Sequence, residues 1–359
     1  MNAGVVREAD PAAIAEAARR LIAGEVVALP TETVYGLGAD AASAAGVASI
    51  YRIKGRPAGH PLIVHVLGAD QAEWWGELGP LGHRLAAAFW PGPLTLIVRR
   101  RAGVPAHACG EEPTIGLRSP AHPVARALLA EFTRLGGHGI AAPSANRFGR
   151  VSPTRAEHVW QDLGDAAGLI LDGGPCEVGV ESTIIDLSRG RPVLLRPGGI
   201  PLARLIEVLG AAPDRPDARA PKASGTLAAH YAPRTPVELV DPGQVAARAA
   251  ELAAVGRIAV WSRTRPASGV PVSGPTEPDD RSSASQAAAA VANGASDGAV
   301  LWEPAPGSPE RYAQALYETL RRLDEWSVAR ILVERVPPDP AWDAVRDRLA
   351  RAAATFAGR

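Results

Sequence analysis

The sequence predicts an α/β protein, with a mixed sheet and helices followed by a smaller Rossmann-like α/β domain. Short runs rich in Val, Ile and Leu, such as LTLIVRR at 94–100, alternate irregularly with segments of helical periodicity. A stretch rich in Pro, Ala and Gly separates two such regions. With 359 residues the chain is long enough for two domains. We therefore expect domains at 1–207 and 236–359, joined by a linker at 208–235.

The elements of the first domain follow from apolar runs and from helix punctuation. Asp10 can cap a helix, Pro11 suits its first turn, and Gly24 suits its exit. The apolar runs predict strands at 25–30, 61–67, 94–100, 114–118, 138–142, 168–172, 180–187 and 192–196. Further helices are expected at 41–52, 121–135 and 154–163, and helical segments are expected near 70–89.

The second domain shows a simpler alternation, which favours parallel strands with intervening helices. Segment 263–282 is rich in Pro, Ser and Gly and is expected to be a loop with at most a short strand. The apolar runs predict strands at 236–240, 256–262, 298–304 and 329–335. Helical periodicity predicts helices at 242–254, 283–293, 309–326 and 340–354.

Composition and charge exclude several classes of protein. Lys and Arg together number 38, as do Asp and Glu, so the net charge gives no general preference for nucleic acid or membrane. The 2 cysteines exclude a disulfide framework and a four-cysteine zinc site. The N-terminus indicates an amphipathic helix and not a signal peptide, and no apolar run is long enough to span a membrane. We expect a cytoplasmic protein.

The segment LPTETVYGLGADA, residues 29–41, combines hydroxyl and acidic side chains with glycines. We expect it to form a turn after a strand, either a helix-entry loop or a polar ligand cradle. It contains Gly36 and Gly38 in a match to the GxGxxA dinucleotide fingerprint. The glycines follow the strand too late, and no acidic residue lies about 20 positions further on, so dinucleotide binding is not predicted.

Four cations lie beside Gly- or Pro-containing turns or on short strands: Lys54, Arg56, Arg118 and Arg196. Gathered at one edge of a sheet, they would form a concave site for a polyanion. Since no P-loop motif occurs, the residues alone predict an anionic nucleotide or phosphate site whose reaction stays open.

Other polar residues support this site individually but weakly. Period two places Thr114 on the same strand face as Arg118, and His65 on the face of Ile63, where it is either a core residue or a site residue. Ser152 begins a segment that resembles a helix start with a capping box, and such starts bind anions. Cys176 lacks a pattern that would supply an activating base.

Seven motifs occur together in an order that resembles the YrdC-domain threonylcarbamoyl-AMP synthases. They are PTETVYGLG, KGRP with HPL, FWPGPLT, TIGLRSP, APSAN with SPT, GGPCEVGVESTIID and LRPGG. The match covers residues 10–205, and the later HYAP and second α/β unit resemble the long, two-domain form of this family. The resemblance implies a twisted mixed YrdC-like sheet in the first domain.

The resemblance also implies a reaction and its participants. L-threonine, bicarbonate or CO2, and ATP with Mg2+ would give threonylcarbamoyl-AMP and pyrophosphate, a nucleotidyltransferase reaction that serves tRNA threonylcarbamoyl-transfer proteins downstream. No protein side chain is identified as a metal ligand. Residues implied for L-threonine are Thr33, His65, Arg118, Ala142 and Ser182. Residues implied for ATP are Lys54, Arg56, His60, Thr114, Ser144, Asn146, Ser152, Arg196 and, from the linker, Tyr231. Those with a catalytic part would be Lys54, Arg56 and Arg118.

Two alternatives stay open from the sequence. An RNA-binding module with a basic cavity is disfavoured by zero net charge, and direct tRNA binding stays undecided. A carbamoyl-transfer enzyme of the hydrogenase-maturation type would carry additional segments that this chain lacks. The resemblance implies that the linker reaches over the active site. It reads ASGTLAAHYAP where the family commonly has basic residues, so its hold on phosphates is expected to be weaker.

Overall fold

The computed structural model describes residues 5–110, 112–264, 272–273 and 300–356. They form two compact units. The first unit comprises the described residues up to Phe148 and those from Ser152 to Leu227, and the second comprises Gly149–Val151 and the residues from Ala228 onward. The segment expected as a linker is therefore divided between the two units at residue 227.

The first unit is built on one mixed sheet. Its strands are β1 Val6–Glu8, β2 Val27–Leu29, β3 Gly36–Asp40, β4 Ile63–His65, β5 Gly76–Glu77, β6 Leu94–Arg100, β7 Thr114–Arg118, β8 Ile140–Ala141, β9 Leu169–Asp172, β10 Thr183–Asp186 and β11 Val193–Arg196. The spatial order is β1-β9-β2-β3-β8-β4-β7-β6-β10-β11, with β5 paired to β6. The pairs β1/β9, β2/β9, β4/β7 and β6/β10 are parallel and the others antiparallel. The predicted mixed α/β sheet is confirmed.

Helices pack on this sheet and begin and end largely where punctuation predicts. They are α1 Pro11–Ile22, α2 Ala44–Lys54, α3 Ala69–Trp75, α4 Gly79–Phe89, α5 Pro123–Arg134, α6 Ala156–Leu163 and α7 Leu202–Leu209. The Asp10 side chain accepts a hydrogen bond from Ala13 N at 2.7 Å, as expected of a cap. Helix α2 ends at Gly55, whose φ of +63° suits glycine. This places the Lys54 side chain at the helix exit.

The helical segments expected near 70–89 are α3 and α4, which β5 separates. Three local predictions are corrected. Residues 36–40 form strand β3 and not a turn, because glycine fits closely between its neighbours: a Cβ at Gly38 would lie 2.9 Å from Leu29 Cδ2. Helix α7 was not expected, and its last residues lie in the expected linker. The capping box at Ser152 does not form: α6 begins after Arg155, which makes no side-chain cap hydrogen bond.

The second unit contains a five-stranded parallel sheet in the order β12-β16-β13-β15-β14. Its strands are β12 Val237–Val240, β13 Ile258–Ser262, β14 Val272–Ser273, β15 Val300–Pro304 and β16 Arg330–Glu334. Its described helices are α8 Val245–Ala253, α9 Pro309–Glu325 and α10 Asp343–Ala354. The helix predicted at 283–293 lies outside the described residues. This parallel arrangement agrees with the predicted Rossmann-like domain.

No helix in the described part of the chain is both long enough and apolar enough to cross a membrane.

Candidate active site

A row of mainly polar side chains crosses five neighbouring strands of the first unit. His65 on β4 pairs with Arg118 on β7. Arg118 lies one residue beyond the paired stretch of β7, opposite Thr95 of β6. Thr95 pairs with Ile184 of β10, which pairs with Arg196 of β11. Since residues paired across a sheet share a face, these five side chains lie on one face.

A pocket lies over this face. Gly116 is part of its lining and contributes no side chain, which leaves space above the sheet at that position. The pocket is lined by Pro61, Leu62, Ile63, Thr95, Ile97, Thr114, Gly116, Ile184, Lys222, Ala223 and Ser224. Ala220 and Ala223 pack in the apolar cluster formed with Ile97 and Ile184. Residues 220–224 of the expected linker are thus part of the first unit, and residues 222–224 line its pocket.

Arg118 is buried and held by two neighbours from the segment after β2. Its Nη1 donates to Thr33 Oγ1 at 2.8 Å, and its Nη2 lies 2.7 Å from Glu32 Oε1. Burial alone would raise the pKa of Glu32, but the Arg118 guanidinium lowers it below its ordinary value. Glu32 is therefore ionised, and the two buried charges balance each other.

The hydroxyl group of Thr33 has a fixed hydrogen-bond direction. Thr31 Oγ1 donates its single proton to Val34 O at 2.6 Å. The 2.9 Å contact between the hydroxyls of Thr31 and Thr33 must then use the proton of Thr33. With Arg118 donating to it as well, Thr33 Oγ1 offers only acceptor capacity to a ligand.

His65 is buried beside Arg118. Burial and the adjacent Arg118 cation lower the pKa of His65 to about 3, so its imidazole is neutral at physiological pH. Within the described residues, His65 Nδ1 and Arg118 Nε have no hydrogen-bond partner. Unpartnered buried polar atoms at paired positions indicate a place where a polar ligand binds. This favours His65 as a site residue over His65 as a core residue.

Lys54 is buried and aimed at the loop after β8. Its Nζ donates to Ser144 O at 2.5 Å and to Asn146 O at 2.6 Å. Burial and the nearby Arg56 cation lower the pKa of Lys54 to about 7. The ammonium group is therefore close to losing its proton at neutral pH, and a nearby anion would stabilise its charged form.

Arg56 and Arg196 are brought together by Ser224. Arg196 Nη1 donates to Ser224 O at 2.7 Å, and Arg56 Nη2 donates to Ser224 Oγ at 3.4 Å. Arg196 Nη2 also donates to Ser182 Oγ at 3.1 Å, and this hydroxyl lies 2.8 Å from Thr95 Oγ1. The two arginines, Ser182 and the pocket lining are thus one connected group.

The remaining predicted residues of the first unit surround the same region. Ser152 Oγ donates to Glu181 Oε1 at 2.6 Å, beside Ser182. The His60 ring lies edge-on to Phe148, whose ring also lies 5.6 Å from the Arg56 guanidinium carbon. Ala142 N donates to Ile63 O at 3.0 Å, next to the pocket.

Tyr231 belongs to the second unit, where its ring lies 5.3 Å from the Arg348 guanidinium carbon. Its expected contact with ATP stays a prediction. Burial raises the pKa of the Cys176 thiol well above its ordinary value, which opposes a nucleophilic role.

The site residues assigned from the sequence omit Glu32, Thr31 and Thr95. Glu32 and Thr31 lie in segment 29–41, which was expected as a turn or a ligand cradle, but their contacts with Arg118 and Thr33 depend on the fold. Thr95 gives no signal until the register of β6 against β7 is known. The linker was expected over the active site, but its sequence does not show that residues 222–224 line the pocket.

The comparisons with known proteins cover both units. A family model described as "Telomere recombination" matches residues 19–198, and a model described as "Threonylcarbamoyl-AMP synthase, C-terminal domain" matches residues 200–354. A Bacillus subtilis protein named threonylcarbamoyl-AMP synthase is 38% identical over 351 residues, 95% of this chain and 92% of that protein. The chain belongs to the threonylcarbamoyl-AMP synthase family.

Further relatives agree with membership of the threonylcarbamoyl-AMP synthase family. A Pyrococcus abyssi protein of that name is 44% identical over 224 residues, which span 61% of this chain and 65% of that protein. A crystal structure of the P. abyssi protein Sua5 complexed with L-threonine has a TM-score of 0.80 and 33% identity, covering 97% of this chain and 96% of that one. The predicted family and fold are confirmed.

Proposed function

We propose that this chain makes L-threonylcarbamoyladenylate from L-threonine, bicarbonate or CO2, and ATP, with release of pyrophosphate and water. The observation that carries the proposal is the row from His65 to Arg196, which places unpartnered polar atoms and two guanidinium groups on one face of the sheet. Family membership supplies the reaction to which this polar face is suited.

The amino acid would bind at the Arg118 end of the row. Arg118 Nε, buried and without a partner among the described residues, suits a carboxylate oxygen. Thr33 Oγ1 offers an acceptor for an N–H or O–H group of the substrate. The neutral His65 can hydrogen-bond through Nδ1 without adding charge. These contacts orient the amine for attack on the carbon of CO2 or bicarbonate, which gives a carbamate.

The nucleotide would bind where Lys54, Arg56 and Arg196 meet. One carbamate oxygen then forms a bond to the α-phosphorus, and the bond from that phosphorus to the β-phosphate bridging oxygen breaks. Negative charge moves toward the departing pyrophosphate, where fixed cations stabilise it most. The site residues thus contribute positioning and charge neutralisation, and none of them forms a covalent bond with substrate.

The reaction class, the metal ion, the location and the delivery of the product are part of the same proposal. The reaction class is nucleotidyl transfer, and ATP would enter with Mg2+. In the part of the chain that the structure describes, no cluster of three His, Cys, Asp or Glu residues could hold a metal. We propose that the ion would be held mainly by phosphate and water oxygens, as is usual for Mg2+ bound with a nucleotide. We further propose a cytoplasmic location and delivery of the adenylate to tRNA threonylcarbamoyl-transfer proteins.

Measurement of pyrophosphate release from the full chain tests the proposal. The reaction would contain ATP, Mg2+, L-threonine and bicarbonate, and each component would be omitted in turn. We expect release that needs both threonine and bicarbonate. Release indifferent to threonine would contradict the proposed substrate, and absence of release from folded protein would contradict the enzymatic proposal.

A further inference from the structure

Glu32 is a buried carboxylate that is not among the site residues implied by the family. It is 4% exposed, as is Arg118. Its Oε1 lies 2.7 Å from Arg118 Nη2, and its Oε2 accepts a hydrogen bond from Ala121 N at 3.0 Å. Its backbone carbonyl accepts from Val178 N at 2.7 Å. Glu32 is therefore anchored on two loops and has little freedom to follow the arginine.

The guanidinium of Arg118 is fixed at both of its terminal nitrogens. Nη1 donates to Thr33 Oγ1, and Nη2 meets the Glu32 carboxylate. Nη2 and Glu32 Oε1 meet as an ion pair without a hydrogen bond of good geometry, whereas the buried Nε has neither a hydrogen bond nor an ion pair among the described residues. Because a guanidinium is planar, engaging both terminal nitrogens determines the direction in which the Nε–H points.

We propose that Glu32 is a positioning residue for amino-acid binding. Its carboxylate holds Arg118 with the Nε edge presented to the carboxylate of the substrate, and it compensates the buried positive charge when no substrate is bound. This inference rests on the proposed function, since it concerns binding of L-threonine at Arg118. It adds a residue that touches Arg118 and need not touch the substrate.

Glu32→Gln is the test variant, because it keeps the side-chain volume and removes the charge. Arg118 and Ala121 N face different oxygens of Glu32, and in Gln one of these oxygens becomes an NH2 group, whose donors then face Arg118 or Ala121 N. We expect KM and the dissociation constant for L-threonine to rise about tenfold or more, the loss typical of a hydrogen bond to a charged group. KM for ATP and kcat should change by less than about threefold.

The matched control is Glu73→Gln, the same substitution at a carboxylate that lies 2.5 Å from Arg101 Nη2 and is 26% exposed. This variant should keep both KM values. The double variant Glu32→Gln/Arg118→Met should bind threonine no more weakly than Arg118→Met alone, since Glu32 acts through Arg118. Calorimetric titration with L-threonine and thermal unfolding would be measured for every variant.

An unchanged threonine affinity in folded Glu32→Gln overturns the inference. Equal rises in KM for threonine and ATP, with a lowered unfolding temperature, also overturn it, because they indicate a structural role only. An additional loss in the double variant shows action independent of Arg118 and overturns it as well. Failure of the proposed function is distinct: wild-type pyrophosphate release would then not depend on threonine.

Discussion

The two sheets differ in the residues that cross their centres. In the second unit the paired residues Val237, Ile331, Ala259 and Leu301 form an apolar row across four neighbouring strands. In the first unit the row from His65 to Arg196 has one apolar member among five. Apolar rows are explained by packing between sheet and helices. Buried charges are costly to fold, and packing does not account for the two in this row, Arg118 and Arg196, which we propose to be retained for ligand binding.

The largest effect is expected from Arg118→Met, which removes the central charge of the polar row. It would abolish the proposed Nε–H contact with L-threonine and leave the Glu32 carboxylate buried without its ion-pair partner. We expect kcat/KM for L-threonine to fall about 100-fold or more, in the range found when one partner of a buried charge pair is removed. Steady-state pyrophosphate release would measure it.

Arg191→Met is the control for this variant, because Arg191 is 50% exposed and pairs with Asp214 and Asp217 at the surface. Its kcat/KM should match that of the wild type, since exposed ion pairs contribute little. A comparable loss in both variants would show that the polar row has no special role.

Ile331→Ala tests the apolar row in the same way. The side chain is fully buried, and its truncation should lower the free energy of unfolding of the second unit by about 2–5 kcal/mol. Ile331→Val, which removes one methylene group, should cost only about 0.5–1.5 kcal/mol. Urea unfolding followed by tryptophan fluorescence would report the change, since Trp261 and Trp302 lie in this sheet. Equal midpoints for all three proteins would contradict the packing explanation.

Gly116→Ala separates binding from folding within the first unit. A Cβ at Gly116 would lie 3.5 Å from Thr95 Cγ2 and 3.6 Å from Ile63 Cγ1, which are ordinary contacts. The unfolding temperature should therefore be unchanged. The added methyl group raises the pocket floor, and we expect kcat/KM to fall about tenfold, as for one methyl group in a substrate pocket.

Gly307→Ala serves as the control for Gly116→Ala, because a Cβ there meets no atom within 4 Å. If Gly116→Ala retained full activity, substrate would not reach this part of the sheet face.

The smallest effect concerns pH. Lys54, with a pKa lowered to about 7 from 10.5, loses its charge as pH rises through neutrality in the free chain. If bound phosphate holds the ammonium protonated, the dissociation constant for ATP should rise about fivefold from pH 7 to pH 8. Equilibrium binding at both pH values would measure this, and Lys54→Met should remove the pH dependence. A wild-type constant that does not change with pH would contradict the role of Lys54.

The same pKa shift acts on stability with a definite sign. Between pH 7 and 10.5 the unfolded chain binds the lysine proton while the native chain has released it. This group therefore makes the free energy of unfolding rise with pH across that interval. Lys54→Met should remove that contribution.

The sequence predicted the fold well where one physical signal dominates. Strands 94–100 and 114–118 were located to the residue, because apolar and β-branched side chains fill them. Strand β3 was missed because its glycines, which read as a turn, are required by close strand packing at Gly38.

The site was predictable as a set of residue types and not as an arrangement. Arg118 was identified from its position on the strand, but its balance with Glu32 depends on two segments 86 positions apart that meet only in the fold. The residues assigned to the two substrates stay predictions. The alternation of side chains along a strand gives the face on which each residue lies, whereas the strand register determines which residues meet.

Two separate stretches of the chain belong to the second unit. Gly149–Val151 belong to that unit although they lie in the middle of the sequence of the first, and Ala232 N donates to Gly149 O at 3.0 Å. Arg150 and Ala232 also form an isolated parallel β-bridge. A polypeptide ending at Leu227 would keep this tripeptide but lose its backbone partner Ala232, directly before Ser152. One cut in the sequence therefore does not separate the residues of the two units.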